Sequence, residues 1–173
     1  EVATTPDETF NFITTPETFA PILPYFKELR AVEDDSFIVV LEVGVPQIRG
    51  QAEVRAQQVE AVEPERVVYD ITGRHGLGMI DARMTFDIAP TDEGARVVWT
   101  SKGTVSGTLA SLAQGILLPL AKRQIASLVA SVQKELGVPE SAKKNSGLLK
   151  RSATAGRGLF GTRKRSAEKE QSS

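Results

Sequence analysis

From Lys27 to Val105 apolar and polar side chains alternate with a period of two, and this run restricts the chain to an antiparallel sheet with one buried face. Turn signals at Glu33-Asp34-Asp35, Val45-Pro46, Glu63-Pro64-Glu65, Gly76-Leu77-Gly78 and Thr91-Asp92-Glu93-Gly94 divide it into a meander of about six strands. The clearest strand places Ile80, Ala82, Met84, Phe86 and Ile88 on one face and Met79, Asp81, Arg83, Thr85 and Asp87 on the other. The same alternation turns Phe37, Val39, Leu41 and Val43 inward from one strand and Ala52, Val54 and Ala56 inward from the next, with Glu53, Arg55 and Gln57 outward. On the solvated face, Arg83 is expected to pair with Asp81 or Asp87 and Arg55 with Glu53, each pair contributing little if exposed.

The flanks of this run are helical. Thr5-Pro6-Asp7-Glu8 has the form of a capping box with Pro at the first helical position, and Thr15-Pro16-Glu17 repeats the cap-then-Pro signal. Two prolines make Phe19 to Phe26 a rigid, irregular connection. After Ser106-Gly107-Thr108 a helical pattern runs from Leu109 to Leu136, long enough at ~1.5 Å per residue to lie across the whole sheet. Its second half sets Ile125, Leu128, Val129, Val132 and Leu136 against Arg123, Gln124, Ser127, Gln133 and Lys134. In its first half Leu109, Leu112, Ile116, Leu117, Leu118 and Leu120 cover more than one stripe, and no charge falls between Lys102 and Lys122. That segment is either buried on two sides or flanks the portal of a ligand cavity; Ser, Thr, Gln, Gly and Pro interruptions argue against a membrane span. Pro119 is expected to kink it.

Charge is unevenly distributed. The formal net charge is -1, yet residues 1 to 137 hold 12 basic and 19 acidic groups, and the remainder holds nine basic and three acidic ones. An acidic ordered body, residues 1–137, is thus followed by a basic segment, residues 138–173. From Lys143 to Arg165 there are eight basic residues and no acidic one. Lys143, Lys144, Lys150 and Arg151 surround Leu148-Leu149, and Arg163-Lys164-Arg165 follow Leu159-Phe160, so apolar anchors alternate with basic clusters. Disorder in solution and reversible binding to an anionic membrane surface are expected of such a segment. Nucleic-acid binding is disfavoured, because the body is acidic and no aromatic platform accompanies the basic groups. The opening Glu1-Val2-Ala3-Thr4 shows neither an initiator Met nor a signal peptide, so a chain beginning part-way through its natural protein, with a truncated first strand, is expected.

Little points to catalysis. With no Cys and one His, thiolate metal sites, cysteine nucleophiles and multi-histidine metal sites are excluded. His75 lies in Gly73-Arg74-His75-Gly76-Leu77-Gly78, where a hairpin turn explains the glycines better than a phosphate loop does. The carboxylates at Glu60, Glu63 and Glu65 cluster near a turn and read as solvated. Ala52, Ala56 and Ala82, with Gly103 on the inward alternation of Trp99 and Val105, leave room between sheet and helix, unless the aromatic residues Phe10, Phe12, Phe26, Phe37, Phe86 and Trp99 fill it.

Two short capped helices, a long antiparallel meander and one long C-terminal helix resemble the helix-grip order of the START/SRPBCC superfamily. Within it, Thr15-Pro16-Glu17, Ile22-Leu23-Pro24, Arg49-Gly50-Gln51-Ala52, Gly76-Leu77-Gly78 and Thr104-Val105-Ser106-Gly107-Thr108-Leu109-Ala110 resemble the CoxG family, the G component of carbon monoxide dehydrogenase, over about residues 1 to 137. The resemblance implies an α+β fold in which a curved antiparallel sheet wraps around a long C-terminal helix, with two short N-terminal helices, around an apolar chamber. It implies a cytoplasmic, non-enzymatic accessory protein, peripheral to the inner face of the cell membrane, that binds menaquinone or a similar isoprenoid quinone and links aerobic carbon monoxide dehydrogenase to the membrane electron-transport chain. No covalent cofactor and no metal are expected. A generic lipid-binding or transfer module is the alternative, and an aromatase or cyclase-like enzyme a third. The chamber is expected to be lined by Leu23, Tyr25, Phe26, Phe37, Val39 and Leu41, by Ala52, Val54, Tyr69, Ile80, Ala82 and Met84, and by Phe86, Trp99, Leu112, Ile116, Leu117 and Leu120.

Overall fold

The structure, a computed structural model, describes residues 1–143. One compact unit covers Glu1–Pro139. Six strands, β1 (Phe26–Glu33), β2 (Ser36–Val45), β3 (Ile48–Val62), β4 (Arg66–His75), β5 (Gly78–Thr91) and β6 (Gly94–Gly107), pair in sequence order as one antiparallel sheet. Tight turns at the expected Gly, Pro and Asp positions account for this order, since each returns the chain beside the strand it has just left. Register shifts at Phe26/Glu28 and Leu29/Ala31 bend β1. Beyond β6, Val2 exchanges two backbone hydrogen bonds with Ala95 at 2.9 and 3.1 Å.

At the N-terminus α1 (Pro6–Thr14) begins with the expected capping box: Glu8 N–H donates to the Thr5 hydroxyl oxygen at 3.3 Å, and Thr5 N–H donates to the Glu8 carboxylate at 3.0 Å. The second signal behaves differently. Pro16 opens α2 (Pro16–Phe19), but the Thr15 side chain makes no cap, and Thr18 instead donates to the carbonyls of Phe12 and Thr15. A 3₁₀ turn over Ala20–Ile22 then leads into β1.

The inward alternation is observed over the upper sheet, where Phe37, Val39, Ala56, Val67, Tyr69, Phe86 and Ile88 are buried. Phe86 is the hub of an aromatic cluster, 6.1 Å from Phe19, 6.4 Å from Tyr69 and 6.1 Å from Trp99 between ring centroids. Val40, Val68 and Ser36 depart from the pattern, being outward and buried. Val40, 1% exposed, sits in register between Glu28 and Glu53, and Arg30 donates to both carboxylates at 2.8 Å, so an ion-pair bridge spans its position. The other outward pairs also differ from expectation. Arg83 forks onto Asp70 at 2.7 and 2.8 Å, Arg66 binds Asp87 at 2.6 Å, and Arg55 reaches Glu33 at 3.3 Å. Asp70 and Asp87 stand directly opposite Arg83 and Arg66 on neighbouring strands, where side chains approach more closely than those two apart on one strand, whereas Arg55 reaches across β2 to Glu33 on β1.

Beyond β6 the chain forms α3 (Thr108–Leu112), a π-helical turn (Ala113–Leu117) and α4 (Leu118–Leu136). Gly107 adopts φ +70°, and a Cβ there would meet the Leu77 carbonyl oxygen at 2.9 Å; the Leu109 N–H binds that same carbonyl at 3.0 Å and fixes the helix start beside the β4–β5 turn. At Pro119, where a kink is expected, the structure has a π-turn just ahead of the proline, which has no N–H to return to the preceding turn.

Candidate functional site

Apolar chambers lie between the sheet's inner face and the helix. One of about 410 Å³ is lined by Tyr25, Leu41, Val43, Ile48, Ala52, Val54, Gly73, Arg74, His75, Ile80 and Val105 from the sheet side, and by Leu109, Ala113, Leu117, Leu118, Leu120, Ala121 and Gln124 from the helix. A second, of about 160 Å³, shares Leu41 and Val54 with it and continues past Phe37, Val39, Ala56, Tyr69, Ile71 and Met84 to Phe86 and Leu128. A third, of about 90 Å³, lies beyond Phe86 against Trp99, Val97 and Val132. The first is within the range of about 300–1,000 Å³ typical of small-molecule sites.

Most of the expected lining is brought together here, but Phe26, Ala82, Leu112 and Ile116 line none of these chambers. Phe26 packs against the core cluster instead. Ala82 is pinched against Gly103, where a Cβ would lie 2.8 Å from the Ala82 Cβ and 2.5 Å from the Asp81 carbonyl oxygen. Gly103 therefore serves the close approach of β5 and β6 and not the void. Leu112 ends α3 ahead of the π-turn, and Ile116 lies within that turn, whose extra residue shifts its direction relative to the chamber stripe.

The inward face of α4 also departs from expectation. Its inward stripe runs Leu117, Ala121, Gln124, Leu128, Val132 and Leu136, so Gln124, which the periodicity places on the polar face, lines the chamber. Of the residues expected inward, Ile125 is 46% exposed, and Val129, 42% exposed, edges the third chamber. With Leu118, 52% exposed at the mouth of the large chamber, they form a partly exposed apolar stripe at helical spacing along the chamber edge, interrupted by exposed Lys122. By length and composition alone the 29-residue helix Thr108–Leu136 is apolar enough to cross a membrane, yet only 6% of its most apolar stretch is buried in the fold. Leu109, Leu128 and Leu136 anchor it.

Polar groups at the large chamber are few. Leu23, Pro24, Tyr25 and Phe26 form a turn closed by Phe26 N–H donating to the Leu23 carbonyl at 3.1 Å, and Tyr25 has φ +63°. Proline followed by a positive φ is the type II pattern, whose third position favours glycine; an aromatic side chain there costs on the order of 1–3 kcal/mol of strain. The Tyr25 carbonyl is secured by the Glu42 N–H at 2.8 Å, and its hydroxyl accepts a hydrogen bond from Gln124 Nε2 at 3.0 Å. His75 is engaged on both sides. Its Nδ1 accepts from the Leu77 N–H at 3.1 Å, so Nε2 carries the hydrogen it donates to the Arg49 carbonyl at 3.1 Å. Tyr69, at the second chamber, has its hydroxyl 3.4 Å from both the Ile13 carbonyl and Gln58 Oε1, and burial pushes its phenol up to about 12.

Acidic groups stay outside the chambers apart from Glu1 at the rim of the smallest. The Arg83 guanidinium, hydrogen-bonded to Asp70, holds that carboxyl below the usual range, and Glu60 and Asp87 flank Arg66 on a solvated groove. Among the described residues no group of three His, Asp or Glu side chains could hold a metal ion. Of the basic segment, Lys143 is exposed and binds Glu140 at 2.9 Å. Lys144, Leu148, Leu149, Lys150, Arg151, Leu159, Phe160, Arg163, Lys164 and Arg165 lie outside the described residues.

A sequence profile of CoxG, described as the G component of carbon monoxide dehydrogenase, matches residues 1–137. The chain belongs to the CoxG family. This membership carries an accessory role beside carbon monoxide dehydrogenase. Solved structures similar to this CoxG-family chain establish the helix-grip fold. A conserved protein from Geobacillus kaustophilus superposes with a TM-score of 0.71 at 22% identity, over 78% of this chain and 90% of that one. A protein from Chromobacterium violaceum gives 0.58 at 16% identity, over 80% and 94%. An aromatase/cyclase from a Streptomyces species gives 0.55 at 15% identity, over 78% and 88%. No curated protein matches the chain by sequence.

Proposed function

We propose that this CoxG-family chain is a non-catalytic carrier: it holds a respiratory quinone, menaquinone or a close relative, between sheet and helix, and connects carbon monoxide dehydrogenase to the electron-transport chain at the cytoplasmic face of the membrane. The observation that carries this reading is the chamber of about 410 Å³, whose lining is apolar but for a few groups at Tyr25, Gln124, Arg74 and His75. A ring system with an isoprenoid tail needs such a shape: a roomy apolar end for the ring and narrower apolar extensions, as the second chamber provides, for part of the tail. The redox centres belong to the partner enzyme.

An enzymatic role on this fold would call for an acid or base aimed into the chamber. His75 spends both ring nitrogens on the backbone, and the Tyr69 phenol stays protonated at neutral pH. Generic lipid carriage remains the second reading, favoured by the lining of the second chamber, apolar but for Tyr69. Solvent extraction and mass spectrometry of protein purified without detergent separate the two: an isoprenoid quinone in near-stoichiometric amount is expected, and fatty acids or phospholipids alone would replace the quinone reading with the lipid one.

Membrane association rests on two features in this proposal: the basic clusters with their Leu and Phe anchors beyond residue 143, and the partly exposed stripe Leu118, Ile125 and Val129. Each basic residue near an anionic surface contributes about 1 kcal/mol and each deeply buried Leu or Phe roughly 1.5–3 kcal/mol. Removing residues 144–173 is expected to reduce co-sedimentation with vesicles containing phosphatidylserine by more than about tenfold, the equivalent of only 1.4 kcal/mol. Undiminished binding of the shortened chain would remove the tail from the mechanism.

A further inference from the structure

We infer that Tyr25 and Gln124 form a hydrogen-bonding clamp that selects, among apolar ligands, those carrying a carbonyl oxygen. This rests on the chamber being a ligand site. Of the polar groups there, His75 is consumed by Arg49 and Leu77, and Arg74 is exposed at the rim. The Tyr25–Gln124 pair is different. It is part-buried, it bridges the β1 entry to α4 across the chamber wall, and it keeps donors in reserve. Gln124 has two amide hydrogens and uses one on Tyr25; the Tyr25 hydroxyl, having accepted that bond, still has its own hydrogen to give. Among the described residues no further partner takes either one.

The backbone supports a role for this side chain beyond packing. The turn at Leu23–Phe26 would be relaxed by glycine at its third position, yet a tyrosine occupies it, pinned at φ +63° by the Glu42 N–H and held at its tip by Gln124. The clamp thus presents hydrogen-bond donors, at a fixed place, inside a site that otherwise rewards only apolar surface. A ligand with an acceptor oxygen at one end satisfies them, whereas a pure hydrocarbon leaves them unmatched. Hydrogen-bonding sites of this kind reject the analogue that lacks the matching group.

Titration calorimetry with two probes of the same skeleton, 2-methyl-1,4-naphthoquinone and 2-methylnaphthalene, tests the clamp in the full chain. The unaltered protein is expected to bind the quinone more tightly. Tyr25→Phe is expected to weaken quinone binding roughly 3- to 10-fold and leave the hydrocarbon unchanged, and Gln124→Leu to do the same to a lesser degree. In the infrared spectrum the bound quinone's carbonyl stretch is expected to shift to lower frequency in the unaltered protein and back towards its free value in Tyr25→Phe. Equal weakening of both probes, or quinone binding and carbonyl frequency both unmoved by Tyr25→Phe, overturns the clamp while the chamber stands. Failure of the unaltered protein to bind either probe overturns the clamp and the chamber together.

Discussion

An Ala52→Phe variant is expected to fold normally and to lose binding of a naphthoquinone probe by on the order of a hundredfold, about 2.7 kcal/mol. Ala52 faces the chamber of about 410 Å³ from the middle of β3, opposite Leu41 on β2 and His75 on β4. A benzyl group projecting from that point competes for the volume that the ligand needs. In the ligand-free protein it also supplies dispersion contacts that a void forfeits, so the thermal midpoint is expected to stay level or rise. The sign of that change is what makes the test decisive. If Ala52 were instead packed against side chains, overpacking would cost about 1–3 kcal/mol and the midpoint would fall. A fall of that size, with probe binding retained, would show that the chamber is closed in solution.

Phe86→Ala is expected to remove about 3–5 kcal/mol of stability, measured as the shift in urea midpoint at constant slope. Phe86 is 4% exposed, touches three aromatic rings, and walls the chambers of about 160 and 90 Å³ from one another. Removing it joins two existing voids, and the cost of a cavity grows with the volume left unfilled, so the upper part of the range applies. Since a domain of this size has about 5–15 kcal/mol in total, the loss takes between about a fifth and all of it. A loss below about 1 kcal/mol would mean that the aromatic cluster does not hold the two halves of the core together. Together the two variants separate the scaffold from the site it builds: one damages the fold through a wall residue, the other blocks the ligand and spares the fold.

The features legible along the chain are those made by near neighbours. The Thr5–Glu8 capping box spans three residues, and the turns at Asp34-Asp35, Gly76-Leu77 and Asp92-Glu93 follow from backbone preferences within four. Strand alternation is equally local, and it places Val39, Leu41, Ala52, Val54 and Met84 on the face where the chambers are found. The cross-strand ion pairs escape such a reading for the complementary reason: Arg83 has Asp81 and Asp87 two and four positions away, but Asp70 lies directly opposite only once β4 and β5 are in register.

The helix shows the limit most clearly. The apolar stripe of its second half, Ile125, Leu128, Val129, Val132 and Leu136, puts Ile125 and Val129 inward and Gln124 outward. Beyond the π-turn at Ala113–Leu117 the structure instead turns Gln124 to Tyr25, leaves Ile125 exposed and sets Val129 at the edge of the chamber of about 90 Å³. Proline at 119 signals a disturbance; how many degrees the helix turns depends on where Leu109 and Leu128 find room against the sheet.

By itself, then, the sequence determines an α+β chain of six antiparallel strands and a long helix, with an acidic body and a basic end, because charge counts and short-range periodicities need no tertiary contact to be read. Only the tertiary structure decides that small residues at Ala52 and Ala56 leave a void while Gly103 does not, and that one tyrosine and one glutamine, 99 positions apart, meet at its wall. Volume and hydrogen-bond partnership are properties of what stands opposite a residue, and what stands opposite is chosen by the register of the sheet and the phase of the helix.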